Sequence, residues 1–276
     1  MTQEQPPTQS DVQVLDTQIP WSRFVALGDS FTEGVGDPDA DSPGGVRGWA
    51  DRFAEVLNAL NDDFAYANLA VRGKLIDQIA QEQVDAALDL RPDLISLCAG
   101  GNDVIRPGSD PDEIAAKLER IVDRLSESGA TIMLFTGADV GFQAVFRSIR
   151  GKIAIYNENV RKVARRYDCV VVDQWALEEL QDSRYWDGDR LHLNALGHHT
   201  ITRAALQELN ISNDLEPLDP PANPLRSWRQ ARKEDVVWAR EHLAPWVIRR
   251  IKNVSSGDNI EPKRPEPSPV RKGRHA

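Results

Sequence analysis

Residues 24–30 read FVALGDS, a run of four apolar residues that leads into Gly28, Asp29 and Ser30. Further apolar runs follow at 64–70, 94–99, 131–135 and 169–172. Runs that are apolar at nearly every position, rather than at every second one, are typical of strands buried on both faces of a parallel sheet. The sequence therefore predicts about five parallel strands, of which the first leads directly into Ser30.

Helix-length segments separate these predicted strands. Apolar residues recur at three- and four-residue spacing within 48–61, 73–90, 111–128 and 151–167, which is the pattern of a helix with one buried face. Asp110 and Pro111 provide a cap and a first-turn proline for the third segment, and Gly129 follows its end. The alternation predicts a three-layer α/β/α domain over residues 21–211, with helices on both faces of the sheet.

The segments outside 21–211 differ in composition. Residues 1–20 are polar and contain three prolines, so they are predicted to be a flexible arm. Residues 212–225 are acidic and proline-rich, which predicts a linker, and the polar, proline-rich stretch 252–276 is predicted to be disordered. A helix is predicted over 226–251, and its three tryptophans need a surface to bury them. We expect it to pack on the domain; a lid or a dimer contact is the alternative.

The composition limits the classes of function. The 276 residues carry 33 Lys and Arg against 43 Asp and Glu, a net charge of −10, which argues against general binding to nucleic acid. No run approaches the ~20 apolar residues of a membrane-spanning helix, and the first residues lack the basic start and apolar core of a signal peptide. With a sheet order of 2-1-3-4-5, one strand separates Cys98 from Cys169, which places them too far apart for a disulfide. We therefore expect two reduced, buried thiols. Reduced thiols and the lack of a signal peptide predict a cytoplasmic protein.

Polar residues lie where an open parallel sheet binds its ligands, beyond the carboxyl ends of the strands. Ser30, Gly73 and Asn102 follow the first three predicted strands, and Asp189 and His192 precede the last helix of the domain. A serine hydroxyl becomes a nucleophile when a base takes its proton, and His192 could be that base with Asp189 holding its other ring nitrogen. Two backbone N–H groups, of Ser30 and Gly73, and the Asn102 amide could donate to an oxyanion.

These residues occur in four short motifs: GDS at 28–30, the glycine at 73, GND at 101–103 and D-x-x-H at 189–192. In this order they resemble the consensus blocks of the SGNH/GDSL hydrolase superfamily, over roughly residues 24–205. The resemblance implies a flavodoxin-like fold, Ser30 as nucleophile, His192 as base and Asp189 as its orienting carboxylate. It further implies an oxyanion hole of Ser30, Gly73 and Asn102, a small-molecule, lipid or sugar ester as substrate, and no metal or organic cofactor.

Other interpretations of these residues stay open in the sequence. Ser30 could cap a helix in a non-catalytic, flavodoxin-like binding module, since serine is a favoured cap. The same triad could instead serve an acyltransferase, in which an alcohol replaces water. Asp187 is a rival for the carboxylate that orients His192.

Two further features invite a functional interpretation. His198 and His199 have no cluster of metal ligands at suitable spacing, so we expect surface or packing histidines. Phe142, Val145 and Phe146 follow the fourth predicted strand and are candidates for an apolar acyl pocket.

Overall fold

A six-stranded sheet forms the centre of the computed structural model, which describes residues 19–143, 145–222, 232, 235–238, 240–241 and 257–270. The strands are β1 (Arg23–Gly28), β2 (Ala65–Asn68), β3 (Leu94–Cys98), β4 (Thr131–Phe135), β5 (Val170–Val172) and β6 (Arg264–Ser268). Their order is β5-β4-β3-β1-β2-β6. The first five strands are parallel and β6 is antiparallel to β2, so the predicted parallel sheet and its order are confirmed.

Helices cover both faces of this sheet. They are α1 (Ser30–Glu33), α2 (Gly48–Leu60), α3 (Ile76–Glu82), α4 (Val84–Asp89), α5 (Gly101–Val104), α6 (Pro111–Ser126), α7 (Arg150–Tyr167) and α8 (Ala195–Glu208). Short 3-10 turns lie at Pro43–Gly45, Arg147–Ile149, Gln174–Ala176, Glu178–Gln181 and Ser183–Tyr185.

Alternate residues of β1 enter two separate apolar cores. Val25 and Leu27 pack with α3, α4, α6 and α7, whereas Phe24 and Ala26 pack with α2 and α8. All four side chains are fully buried. A strand that is apolar at every position thus lies between two helix layers, and the predicted three-layer α/β/α architecture is confirmed.

The helix predicted over 73–90 is interrupted at Gln83. Helix α3 ends at Glu82 and α4 begins at Val84, with Gln83 between them at a φ of −114°. The Gln83 side chain accepts a hydrogen bond from the Gly28 N–H at 2.8 Å and donates one to the Gly28 carbonyl at 2.9 Å. The interruption satisfies both backbone groups of the residue that ends β1, which periodicity alone does not reveal.

The prediction of disorder over 252–276 is wrong for the residues that form β6. This strand pairs with the outer edge of β2, where its two prolines are tolerated because an edge strand has one unpaired side. Next to it, the buried ammonium of Lys263 pairs with Asp51 and donates to the carbonyls of Val46 and Arg47 at 3.1 and 2.9 Å. These buried partners fix a segment whose composition is typical of disorder.

Other predictions on the flanking segments fall mostly outside the described residues. The arm over 1–20 lies outside them except for its last two residues. Most of the helix predicted over 226–251 also lies outside them; its described residues, 232, 235–238 and 240–241, are helical. Residues 212–222 have neither helix nor strand and contact the domain, for example where His199 Nε2 donates to the Glu216 carbonyl at 2.8 Å. Cys98 and Cys169 are free thiols, half-buried rather than buried.

Candidate active site

Ser30 lies at the first turn after β1, at the carboxyl edge of the sheet. Gly28 ends the strand at a φ of +150°, and a Cβ there would come within 2.6 Å of the Cys98 carbonyl oxygen. Only glycine fits this approach of β1 to β3. Asp29 caps α1 by accepting a hydrogen bond from the Phe31 N–H at 3.2 Å, so Ser30 is not needed as the cap and its half-buried hydroxyl is available for other contacts.

His192 and Asp189 reach Ser30 from the loop before α8. The Ser30 hydroxyl lies 2.9 Å from Nε2 of His192, and Nδ1 of the same ring lies 2.5 Å from Oδ2 of Asp189. Asp189 Oδ1 also accepts the backbone N–H groups of Leu191 and His192 at 2.9 and 3.0 Å. Of the two candidate carboxylates, Asp189 rather than Asp187 contacts the ring; the backbone N–H of Asp187 donates to the His192 carbonyl at 2.8 Å.

The pKa of Asp189 keeps this carboxyl ionised. Burial raises its pKa, but the hydrogen bond from the His192 ring, the attraction of that ring when it is protonated and the two backbone donors together lower it to about 2. An ionised carboxylate at Nδ1 holds the proton on that nitrogen and leaves Nε2 free to accept one. The line of Ser30, His192 and Asp189 can therefore move a proton away from the serine hydroxyl.

Asn102 lies beside the serine, on the short helix α5. Its amide nitrogen donates to Oδ2 of Asp29 at 2.9 Å and to the Lys74 carbonyl at 3.2 Å. Gly73 precedes Lys74 in a half-buried turn after β2, at a φ of +76°. The structure therefore brings Asn102, the Gly73 turn and the Asp29–Ser30 segment together, with the Asn102 amide engaged by protein acceptors.

Asp29 is a buried carboxyl directly before Ser30, with 7% of its surface exposed. Burial raises its pKa to about 6, although the Phe31 N–H, the charge of His192 and the Asn102 amide act in the opposite direction. The negative charge of a neighbouring carboxyl, Asp103, raises it further. The groups around Asp29 that favour its ionised form therefore offset only part of the cost of burying that charge.

An apolar cavity of about 200 Å³ opens at Ser30 and is also lined by Asn102 and His192. Its remaining wall is largely hydrocarbon and includes Ile105, Phe135, Val140, Phe146, Ile149 and Ile153. Gly73 is not among its lining residues. Of the three apolar candidates from the sequence, Phe146 lines the cavity, whereas the Phe142 ring packs against Trp186 with 6.1 Å between ring centres and Val145 is exposed.

His198 and His199 pack inside the fold. The sequence analysis expected either this arrangement or a position on the surface. His198 is fully buried; its Nδ1 accepts the Trp49 N–H at 3.2 Å and its Nε2 donates to the Val35 carbonyl at the same distance. Burial lowers its pKa to about 4, so the ring is neutral. Within the part of the chain that the structure describes, no group of three or more His, Cys, Asp or Glu residues could hold a metal ion.

Several residues around the site carry no motif in the sequence. Gln83 holds both backbone groups of Gly28, and the Tyr156 hydroxyl donates to the Ala99 carbonyl at 2.8 Å, just beyond β3. Trp238 donates from Nε1 to the Asp189 carbonyl at 3.0 Å. Its place in a tryptophan-rich segment was the one available signal, and it did not indicate which surface the ring would contact.

Comparison with known proteins assigns the chain to the ester-bond hydrolases with a three-layer α/β/α fold. Residues 26–200 match the GDSL-like Lipase/Acylhydrolase family, and because this is more than half of the chain, the chain belongs to that family. The resemblance seen in the sequence motifs is thereby confirmed.

Individual relatives resemble parts of the chain. A multidomain esterase of Ruminococcus flavefaciens is 31% identical over 121 residues, which is 43% of this chain and 16% of that protein. Among solved structures, LAE5, an alpha/beta hydrolase enzyme from the metagenome of Lake Arreo, superposes with a TM-score of 0.59 at 22% identity over 70% of this chain and 97% of its own. A catalytic mutant of Axe2, an acetylxylan esterase from Geobacillus stearothermophilus, gives 0.58 at 19% identity over 69% and 95%. These two structures share the fold.

No helix within the described residues is both long and apolar enough to cross a bilayer.

Proposed function

We propose that this protein is a serine esterase that cleaves carboxylic esters through an acyl-enzyme on Ser30, with His192 as base and Asp189 as the carboxylate that orients it. The observation that carries the proposal is the continuous line of contacts from the serine hydroxyl to Nε2, at 2.9 Å, and from Nδ1 to the carboxylate, at 2.5 Å. A hydroxyl, an imidazole and a carboxylate in this order activate serine as a nucleophile.

In the first half-reaction Ser30 Oγ bonds to the carbonyl carbon while Nε2 of His192 takes the hydroxyl proton. The tetrahedral intermediate then expels the alcohol, which leaves with that proton. In the second half-reaction His192 takes a proton from water, the water oxygen attacks the acyl-enzyme, and the acid is released as Ser30 recovers its proton. Because His192 must be neutral to accept a proton, activity is expected to fall on acidification.

The oxyanion would be stabilised by the backbone N–H groups of Ser30 and Gly73 and by the Asn102 amide. In the present geometry that amide donates to Asp29 and, over a longer 3.2 Å, to the Lys74 carbonyl. Loss of the longer bond would turn one N–H towards the substrate, while the bond to Asp29 keeps the side chain in place.

The apolar cavity supports an ester with a hydrocarbon group larger than acetyl. A cavity of about 150 Å³ is known to bind benzene, so the space of about 200 Å³ beside Ser30 would hold about eight carbon atoms. Its wall offers methyl and aromatic groups, including Ile153 and Phe146. The hydroxyl-rich surface of a sugar would find few hydrogen-bonding partners there.

Action in the cytoplasm is part of the proposal, because both cysteines are unpaired thiols, as expected in a reducing compartment. A small-molecule ester is the proposed partner, and the acidic net charge of −10 argues against nucleic acid.

A fluorophosphonate probe tests the triad, because it reacts with activated serines. Intact-mass analysis is expected to show one adduct on the wild type and none on Ser30→Ala or His192→Ala. Ser128→Ala, at an exposed serine in the turn after α6, is the matched control and should label like the wild type. Labelling of Ser30→Ala at the wild-type rate would overturn the proposed nucleophile.

A chain-length series tests the substrate class. With p-nitrophenyl esters from acetate to decanoate, kcat/KM is expected to peak near an eight-carbon acyl group. Acetate esters of alcohols of rising length show whether the cavity binds the alcohol side instead. Ile153→Trp, which would fill the cavity, should move either optimum to shorter chains. A maximum at acetate with the smallest alcohol would contradict an apolar substrate.

A further inference from the structure

A helical turn at 235–238, well beyond the matched region 26–200, contacts the loop that carries Asp189 and His192. Trp238 is 7% exposed, and its indole N–H donates to the backbone carbonyl of Asp189 at 3.0 Å. The guanidinium of Arg190 lies over the same ring, 4.7 Å from its centre. Arg190 also pairs with Asp235 at 2.9 Å. Two residues of the turn therefore hold two consecutive residues of the loop.

The loop also makes hydrogen bonds with itself: the Arg190 N–H donates to the Asp187 carbonyl at 2.9 Å, and the Asp187 N–H donates to the His192 carbonyl at 2.8 Å. The contacts of the turn at 235–238 add to these bonds from outside the loop. An isolated β-bridge joins Trp186 to Leu193. Between these two residues the chain turns tightly, and Arg190 adopts a φ of +60°. Non-glycine residues seldom adopt this left-handed conformation, so it persists only where neighbouring contacts hold it. The contacts of Trp238 fall on this residue and on the carbonyl directly before it.

The position of the Asp189 carboxylate depends on this backbone. Its Oδ1 accepts the N–H groups of Leu191 and His192, and its Oδ2 accepts the ring of His192. A rotation of the peptide between Asp189 and Arg190 would move the carboxylate and the imidazole together, away from the Ser30 hydroxyl. A hydrogen bond from Trp238 to the carbonyl of that peptide opposes the rotation.

We propose that Trp238 is a positioning residue for the triad: by binding the Asp189 carbonyl and stacking under Arg190, it fixes the Asp189–His192 pair in line with Ser30. The inference rests on the proposed function. It assigns an active-site role to a residue outside the family's matched region. LAE5 and the Axe2 mutant cover 70% and 69% of this chain and are themselves covered over 97% and 95% of their length, so part of this chain lies outside the fold they share.

Trp238→Phe in the full chain tests the inference, because it keeps an aromatic ring under Arg190 and removes only the N–H. Loss of one hydrogen bond of ordinary strength predicts a kcat about fivefold lower, with KM unchanged. Val237→Ala, at a neighbouring position that is 52% exposed, is the matched control and should leave both constants unchanged. Unaltered kcat in Trp238→Phe, or a rise in KM alone, would overturn the inference.

A double-mutant cycle separates positioning from general support of the fold. In an Asp189→Ala background the carboxylate is absent, so Trp238→Phe should reduce the rate of fluorophosphonate labelling by less than about twofold. The same fivefold loss in both backgrounds would show a role independent of Asp189. If Trp238→Phe does not fold, Asp235→Asn provides the test through Arg190, with an expected loss of about twofold in kcat and none in KM.

The failure of the inference and the failure of the proposed function give different results. If Ser30→Ala is inactive but Trp238→Phe behaves like the wild type, only the positioning role is lost. If Ser30→Ala keeps its activity, the proposed function itself is wrong.

Discussion

Ser30 and His192 lie within hydrogen-bonding distance of each other, but the molecule holds them in different ways. Ser30 follows a central strand whose apolar side chains are fully buried, and both backbone groups of the preceding Gly28 are bonded to Gln83. His192 lies in an irregular loop with its side chain 19% exposed, held by Asp189 and by the contacts of Trp238. Changes on the serine side should therefore alter stability and activity together, whereas changes on the histidine side should alter activity far more than stability.

The largest effect that would sharpen this comparison is expected from Asp189→Asn. Loss of the carboxylate that orients the imidazole should lower kcat by about 10⁴-fold, because asparagine can stabilise the wrong tautomer. The ionised carboxylate, whose pKa is lowered to about 2, also stabilises the folded state, so the thermal midpoint should fall by a few degrees. Asp187→Asn, two residues away, is the control and should retain activity, which steady-state kinetics will show. A comparable loss in Asp187→Asn would mean that the two carboxylates act together.

The next effect concerns the serine side and is expected from Gln83→Leu. The buried N–H of Gly28 loses its bond to the Gln83 side chain, and the Gly28 carbonyl keeps only a longer bond from the Val71 N–H, at 3.4 Å. These losses predict a fall of roughly 3 kcal/mol in the free energy of unfolding. Urea denaturation measures this loss, and kcat should fall with it because Ser30 follows Gly28 closely. Gln81→Leu, at an exposed position in the adjacent helix α3, should change neither quantity. If Gln83→Leu lowers kcat without lowering stability, the proposed contrast between the two sides fails.

The smallest effect is expected from Asp29→Asn and depends on pH. The pKa of Asp29 is raised to about 6 in the folded protein, above the usual 3.8, so the folded state binds a proton more readily than the unfolded one. The ionised Asp29 carboxyl therefore destabilises the folded protein. This destabilisation is absent at pH values below the pKa of the unfolded state, and it is fully present once the pH has risen through the folded-state pKa of about 6. At pH 8 the asparagine should increase the free energy of unfolding by roughly 2 kcal/mol, and at pH 3.5 it should not.

Urea titrations at the two pH values provide the measurement. Asp63→Asn, at an exposed position, is the control and should follow the wild type at both. A gain for Asp29→Asn that is equal at both pH values would exclude the titration of this carboxyl as its cause.

The elements that were predicted correctly have signals within a few consecutive residues. The strand before Ser30 is apolar at each position, and Asp110 with Pro111 marks the start of α6. The geometry around Ser30, His192 and Asp189 could be anticipated because parallel strands present their carboxyl ends at one edge of the sheet. The short D-x-x-H spacing then places the carboxylate beside the imidazole.

The features that sequence analysis missed depend on contacts between distant residues. Gln83 interrupts a periodic helix because its amide meets Gly28, 55 positions earlier in the chain. Lys263 is buried because Asp51 and two carbonyls of another segment surround its ammonium. In each case a polar side chain satisfies backbone or charged groups elsewhere in the fold, and no local pattern records that pairing.

Strand β6 has a consequence for how molecules of this protein meet one another. A sheet edge with free N–H and C=O groups is a template on which a second molecule can add a strand. Here β6 covers the edge of β2, and its own outer side contains Pro265 and Pro267, which have no N–H to offer. The opposite edge, β5, is only three residues long. The segment that closes the sheet thus leaves few backbone groups free for edge-to-edge pairing, and its removal would expose the β2 backbone to neighbouring chains.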